Sequence, residues 1–168
     1  MIADHSTDIS AGDRVVIMLP PAAEDLAVAL HEVCGDRGAT PVYVNNSDRA
    51  SRAFLRASAA AADGDPEFET PEHHLALHEA ADVFVIARGG QNVTETSDVA
   101  PATNAAWRRA YKPVQRERLS KTWCLTQYPT PGHALLAEAS TEDYEQFVWD
   151  RVVMGWAAQR RDQAAEKE

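Results

Sequence analysis

Lysine is almost missing from this chain: it occurs only at Lys112, Lys121 and Lys167, and arginine supplies every other basic side chain. Lysine and arginine together number 16 against 26 acidic residues, for a formal net charge of −10. A nucleic-acid-binding surface needs the opposite sign, so nucleic acid is not an expected partner. Acidic surplus with scarce lysine fits a halophilic protein, whose self-repulsion is screened by a high-salt cytoplasm. The alternative is an ordinary acidic protein of a high-GC genome, which also favours arginine.

Other absences narrow the class. No stretch approaches the roughly 20 apolar residues of a membrane span, so no membrane contact is expected. Residues 1–12 include Asp4, His5 and Asp8 and no basic n-region, unlike a secretory signal. The expected compartment is the cytoplasm. Only Cys34 and Cys124 are present, without a CxxC pair, which argues against a disulfide scaffold. Both read as buried small hydrophobes, Cys34 in a helical pattern and Cys124 in a strand pattern.

What is there is an alternation of strands and helices in 168 residues, one domain's length. Arg14–Leu19 is a β-branched apolar run between Gly12-Asp13 and Pro20-Pro21, and predicts a buried strand. A helix follows from Ala22 to Cys34, with Leu26, Ala29, Leu30 and Val33 at helical spacing, ended by Gly35 and Gly38. Pro41–Asn45 reads as the second strand, and Asn46-Ser47-Asp48 as a turn and cap into a helix from about Arg49 to Ala62. Thr70-Pro71 predicts an N-cap with Pro at N1, opening a helix through Ala80. Val83–Ala87 and Thr122–Gln127 read as the third and fourth strands. Between them a polar loop, 89–101, leads into a helix over residues 102–118 interrupted near Pro113. Tyr128–Gly132 is a turn cluster, and Ser140 with Asp143 approximates a capping box. The final helix places Tyr144, Phe147, Val148, Val152 and Gly155 on one face.

Strands apolar on both faces, separated by helices, predict an α/β fold. It is a three-layer, mostly parallel Rossmann-like sheet of about four or five strands with helices on both faces. The chain divides into an α/β domain over 1–158 and a polar helical tail over 159–168, which no Gly or Pro stops. Met1–Ser10 reads as the tail of a helix without its beginning.

Ligands of open parallel sheets bind beyond the carboxyl ends of the strands. The loop after the first strand is Pro20-Pro21-Ala-Ala-Glu24, without GxGxxG or GxxxxGK[ST]. Two prolines remove backbone donors and Glu24 opposes a phosphate, so nucleotide binding is disfavoured. His74 and His78 share a helix face beside His73, but the sequence lacks the Glu of HExxH and a third ligand. That helix reads as solvated and amphipathic, with Leu75 and Leu77 packing inward or sideways. There is no G-x-S-x-G elbow. His133 reads as a surface or interface residue rather than a base. Arg88, ending the third strand, is suited to hold a carboxylate or to pair with Glu79 or Asp82.

Three segments carry a resemblance. They are Ser10-Ala-Gly-Asp-Arg-Val-Val-Ile17 with its continuation through Arg37-Gly38-Ala39 and Tyr43; Ala80–Ala87 with the loop through Asn92; and Trp123–Thr130 running on to Ser140–Phe147. In this order they resemble the N-terminal region of the thermophilic metallo-aminopeptidase family, of the aminopeptidase T and aminopeptidase S type, most closely its haloarchaeal members. The Tyr128-Pro-Thr-Pro131 segment followed by Ser140-Thr-Glu-Asp-Tyr-Glu-Gln-Phe147 is its most specific part. The resemblance implies release of N-terminal amino acids from peptides by metal-bound water, and a dimer. It also implies two divalent metal ions (zinc, cobalt or manganese) held by Glu, His, Tyr and Asp ligands of a C-terminal half. No metal ligand carries over onto this chain, which is expected to hold no cofactor and to be inactive alone. Its expected partners are the missing C-terminal domain or a second subunit, and peptides once complete; Trp149 and Trp156 are candidates for that contact. The alternative is a non-catalytic α/β module for a small ligand or a protein. In both readings Arg88, Asn92, Tyr128 and Thr130 are the candidate cleft residues.

Overall fold

The two runs that are apolar without alternation become the centre of the sheet. The computed structural model describes residues 2–151. Strands β1 (Arg14–Leu19), β2 (Thr40–Asn45), β3 (Val83–Arg88) and β4 (Thr122–Gln127) lie in the order β2-β1-β3-β4, all parallel. The expected α/β architecture is the observed one.

Burial explains the order. Val15, Ile17, Leu19, Val83, Val85 and Ala87 face one core; Val16, Met18, Phe84 and Ile86 face another. Only a strand covered on both sides can be apolar at every position. Burying a side chain such as Ile17 or Phe84 stabilises by about 1.5–3 kcal/mol. The other two strands are edges, and part of their apolar surface meets solvent, including Val42, Trp123 and Leu125. Cys124, expected to be buried, is only partly so for this reason, whereas Cys34 is fully buried.

The helices divide between the faces as right-handed crossovers require. Helix α1 (Glu24–Arg37) crosses from β1 to β2 and packs Ala27, Leu30 and Cys34 on the first core. Ala29 of the expected stripe is exposed, because the apolar face is centred on Ala23, Ala27, Leu30 and Cys34. The helix runs through Gly35 and ends at Gly38, whose φ of 72° is the left-handed conformation of a C-cap. From β2 the chain reverses direction across the sheet, so the next helices fall on the opposite face. These are α2 (Asp48–Ala61) and α3 (Glu72–Ala80), followed by α4 (Pro101–Ala110) and α5 (Lys112–Leu119) on the way to β4. Ser47 caps α2 by accepting from the Ala50 amide at 3.3 Å. Pro71 is itself the N-cap of α3, one residue later than expected. The interruption expected near Pro113 falls at Tyr111.

Phe54, Phe68, Trp107 and Tyr111 join α2 to α4 as a chain of tilted and edge-on rings 5.1–5.8 Å apart. His78 departs from the solvated face expected for α3. It is buried, stacks on Phe84 at 4.9 Å, and its Nδ1–H donates to the His74 carbonyl at 2.8 Å. Burial pushes its pKa below the usual imidazole range.

After β4, helix α6 (Pro131–Leu136) and helix α7 (residues 141–151) close the described part. Ser140 Oγ accepts from the Asp143 amide at 3.0 Å, the expected cap. Val148 is buried, Phe147 is exposed, and Trp149 meets Tyr128 edge-on at 5.9 Å. The chain begins with a π-helical turn, Ile2–Ser6; Ala3 and Ile9 reach the first core, and Arg37 donates to both of their carbonyls. Val152, Gly155, Trp156 and the 159–168 tail lie outside the described residues. No described helix is long and apolar enough to cross a membrane.

Candidate functional site

The sheet changes direction between β1 and β3, since the chain leaves β1 toward β2 and returns to β3 on the other side. That switch leaves a crevice at the carboxyl ends of the strands. Here it is a cleft of about 600 Å³. Pro20 after β1, Asn46 and Asp48 after β2, and the end of β3 with Gly89 and Gly90 form one side. Arg118 and Leu119 of α5, Trp123 and Leu125 of β4, and His133 of α6 form the other.

Two glycines allow the loop after β3 to pack this closely. A Cβ at Gly89 would lie 3.0 Å from Pro20 Cγ and 3.1 Å from Tyr128 Cβ. A Cβ at Gly132 would lie 2.4 Å from the Gln91 carbonyl oxygen and 2.9 Å from that of Gly90. The start of α6 therefore rests directly on the backbone of the loop.

Of the four cleft residues expected from sequence, Arg88 and Asn92 line the cleft. Arg88 is exposed and forms no ion pair among the described residues. Its expected partner Asp82 is taken by Arg14, which donates from Nε and Nη2 to the two carboxylate oxygens at 2.8 Å each. These bonds hold the Asp82 carboxyl well below the usual carboxylate range. Asn92 shapes the loop: its Oδ1 accepts from the amide and hydroxyl of Thr94, and its Nδ2 donates to Glu95 Oε2 at 3.0 Å.

Tyr128 and Thr130 stand behind the wall rather than on it. Tyr128 donates its amide to the Arg88 carbonyl at 2.7 Å and packs its ring against the first core. Burial, then the charges of Asp25 and Glu145, raise the pKa of its hydroxyl. Thr130 is buried, and its hydroxyl donates to the Gly90 carbonyl at 2.9 Å. The same oxygen lies 2.9 Å from His133 Nδ1. A hydroxyl has one proton, and a carbonyl can only accept, so Nδ1 must carry its own proton toward Thr130. Nε2 of the neutral ring is then the acceptor.

His133, Arg118, Trp123 and Leu125 are cleft residues that sequence reasoning did not select. A signal existed for two of them. In the parallel register Phe84 pairs with Trp123 and Ile86 with Leu125, so all four share a face, and Arg88 follows two residues beyond Ile86. Nothing local marks Arg118. Its Nε is buried without a hydrogen-bond partner.

The described residues do not fit a metal ion: they contain no group of three or more His, Cys, Asp or Glu placed to hold one. His78 donates through Nδ1 and lies in the second core against Phe84.

An open parallel sheet with a polar-rimmed crevice at its switch point defines the class of doubly wound α/β domains. The chain belongs to the thermophilic metalloprotease (M29) family, whose profile matches residues 1–167. Among solved structures it is similar to wild-type AmpT from Thermus thermophilus, with 19% identity and a TM-score of 0.69. The likeness covers 96% of this chain and 44% of that one, so the chain spans less than half the length of its structural relative. No curated protein matches the sequence significantly.

Proposed function

We propose that the chain supplies the N-terminal α/β domain of a metal-dependent aminopeptidase that releases N-terminal amino acids from peptides. The observation that carries this reading is the family match over residues 1–167. The donor set of the described residues argues that the zinc, cobalt or manganese ions are held by other residues, in a C-terminal domain or on a second subunit. Alone, the domain is then inactive. In the complete enzyme Arg88 and Asn92 form part of the substrate wall, which Tyr128 and Thr130 support from behind. Net charge −10 with three lysines supports a cytoplasmic, halophilic archaeal origin; the family resemblance supports a dimer. The test is hydrolysis of aminoacyl and dipeptide substrates by the isolated chain with zinc, cobalt or manganese, then with an added metal-binding half from a family member. No turnover in the first assay and metal-dependent turnover in the second is expected. Turnover by the chain alone sinks the claim of inactivity.

A second reading, a ligand-binding module without chemistry of its own, is favoured by a different observation. The cleft has the volume and mixed lining of a small-molecule site. A ligand that occupies it raises the melting temperature of the isolated chain.

A further inference from the structure

The positive charge of this acidic chain is concentrated in one place. Residues 107–121 hold six of its 16 lysines and arginines but only one of its 26 acids, Glu117. That acid is already paired with Lys121 at 3.1 Å. Arg108, Arg109, Lys112, Arg116 and Arg118 form no ion pair among the described residues. By contrast Arg14, Arg37, Arg52 and Arg56 each pair with an aspartate.

Two of the unpaired arginines share a pocket with two aromatic rings. Helical hydrogen bonds carry α4 into α5, from the Tyr111 amide to the Trp107 carbonyl at 2.9 Å and from the Gln115 amide to the Tyr111 carbonyl at 3.1 Å. Trp107, Tyr111, Gln115 and Arg118, four, four and three residues apart, therefore fall on one stripe. With Arg108 they line a pocket of about 470 Å³ that has no acid in its lining. Gln115 and Arg118 stand between this pocket and the cleft at the strand ends, which they also line; Trp107, Arg108 and Tyr111 do not line that cleft.

The rings are fixed by the fold. Phe54 and Phe68 pack edge-on against Trp107 at 5.1 and 5.3 Å, and His74 against Tyr111 at 5.6 Å. Both rings stay partly exposed. Arg118 is itself partly buried, and its Nε has no hydrogen-bond partner. A guanidinium withdrawn from water without an anion carries a desolvation cost that a bound anion offsets. Arg109, Lys112 and Arg116 are exposed on the same two helices, and their field favours a dianion over a single negative charge.

We propose that this pocket binds a nucleoside monophosphate, its base on Trp107 and Tyr111 and its phosphate on Arg118 and Gln115, with Arg108 closing over the base. Aromatic side chains stack with any base, and a guanidinium does the same. From Tyr111 to Arg118 the helix rises about 10 Å, close to the length of a nucleotide. The volume is that of a small-molecule site. Here side chains meet the phosphate, not the backbone cradle that Pro20 and Pro21 preclude after β1.

The test is calorimetric titration of the chain, at one salt concentration, with adenosine monophosphate, adenosine, inorganic phosphate and single-stranded octa-adenylate. Adenosine monophosphate binds about tenfold or more tightly than adenosine or phosphate, each of which lacks half of the contact. Arg118→Gln removes an unsatisfied donor and keeps the fold; it weakens adenosine monophosphate about tenfold and leaves adenosine unchanged. Trp107→Phe keeps a ring in the aromatic row and removes most of the tryptophan emission change on binding. Arg116→Gln, on the same helix but outside the pocket, and Arg88→Gln, in the cleft, leave binding within about twofold. Arg116→Gln weakening binding as much as Arg118→Gln reduces the effect to general charge attraction and overturns the site. Loss in Arg88→Gln places the ligand in the cleft and overturns it as well. Octa-adenylate binding more than about tenfold tighter than the mononucleotide overturns it in favour of a single strand. No binding of adenosine monophosphate to a chain with native circular dichroism overturns it outright, and leaves the peptidase reading untouched.

Discussion

Gly132 packs on the carbonyl oxygen of Gln91 so closely that a Cβ at 132 would lie 2.4 Å from it. The atom in the way is backbone, held in a loop that Thr130 also ties down through the Gly90 carbonyl. Neither side can give way cheaply, so the contact fixes α6, and His133 with it, against the cleft.

Gly132→Ala is therefore expected to destabilise the domain by about 1–3 kcal/mol, the usual cost of overpacking. Gly35→Ala is the contrasting case. It lies within α1 with nothing within 4 Å of the added Cβ, and should stabilise by about 0.5–1 kcal/mol through helix propensity. Urea titrations of the two variants check the opposite signs.

Thr130→Val keeps the shape of the side chain and removes its hydroxyl. It leaves the Gly90 carbonyl and His133 Nδ1 without their shared partner, at a cost of about 1–3 kcal/mol. Nitrogen NMR of the imidazole should report the Nδ1–H tautomer at His133 in the parent and a larger Nε2–H share in the variant. An unchanged tautomer would show that the hydroxyl does not set it.

Stability should fall as the solution is acidified from about pH 6.5, the ordinary histidine value. Burial lowers the folded-state pKa of His78, and of His74, where the charges of His73 and His78 add to it. Between the unfolded and folded values the unfolded chain binds protons that the folded chain refuses, so stability is full above the window and declines through it. His78→Leu should flatten this part of a plot of unfolding free energy against pH. The aspartates act lower. Asp82 and Asp98 have pKa values depressed by hydrogen bonds from Arg14 and Arg52, so their contribution is present above the ordinary carboxylate range and lost below it.

Added salt should raise the melting temperature. At a net charge of −10 general self-repulsion is screened, while the exposed Arg14–Asp82 pair loses little that matters to the whole. A melting temperature that falls steadily with potassium chloride would mean that local ion pairs outweigh the net charge.

The α/β class was legible because its signal is local. Val15–Leu19 and Val83–Ala87 are apolar without alternation, and only a doubly covered strand tolerates that. The cap at Ser47, and Ser140 accepting from Asp143, were legible for the same reason: a hydroxyl and an amide three residues apart meet wherever the helix begins. His78 was misread, because a histidine at a helical position carries no mark of which face the sheet will cover. Arg88 and Asn92, named by the rule that ligands gather at strand ends, line the cleft there. Tyr128 and Thr130 follow the same rule in sequence, but their turn carries them behind the wall.

By itself the sequence determined the alternation of elements, the acidic surface and the family, since propensity, net charge and collinear motifs survive without coordinates. Tertiary structure decided which strands are central, which face each helix covers, and that Arg118, Trp123 and His133 meet Arg88 around one cleft. The physical reason is distance along the chain. Arg88 and Arg118 stand 30 residues apart in sequence, and only the parallel pairing of β3 with β4 and the packing of α5 bring their charges to one surface.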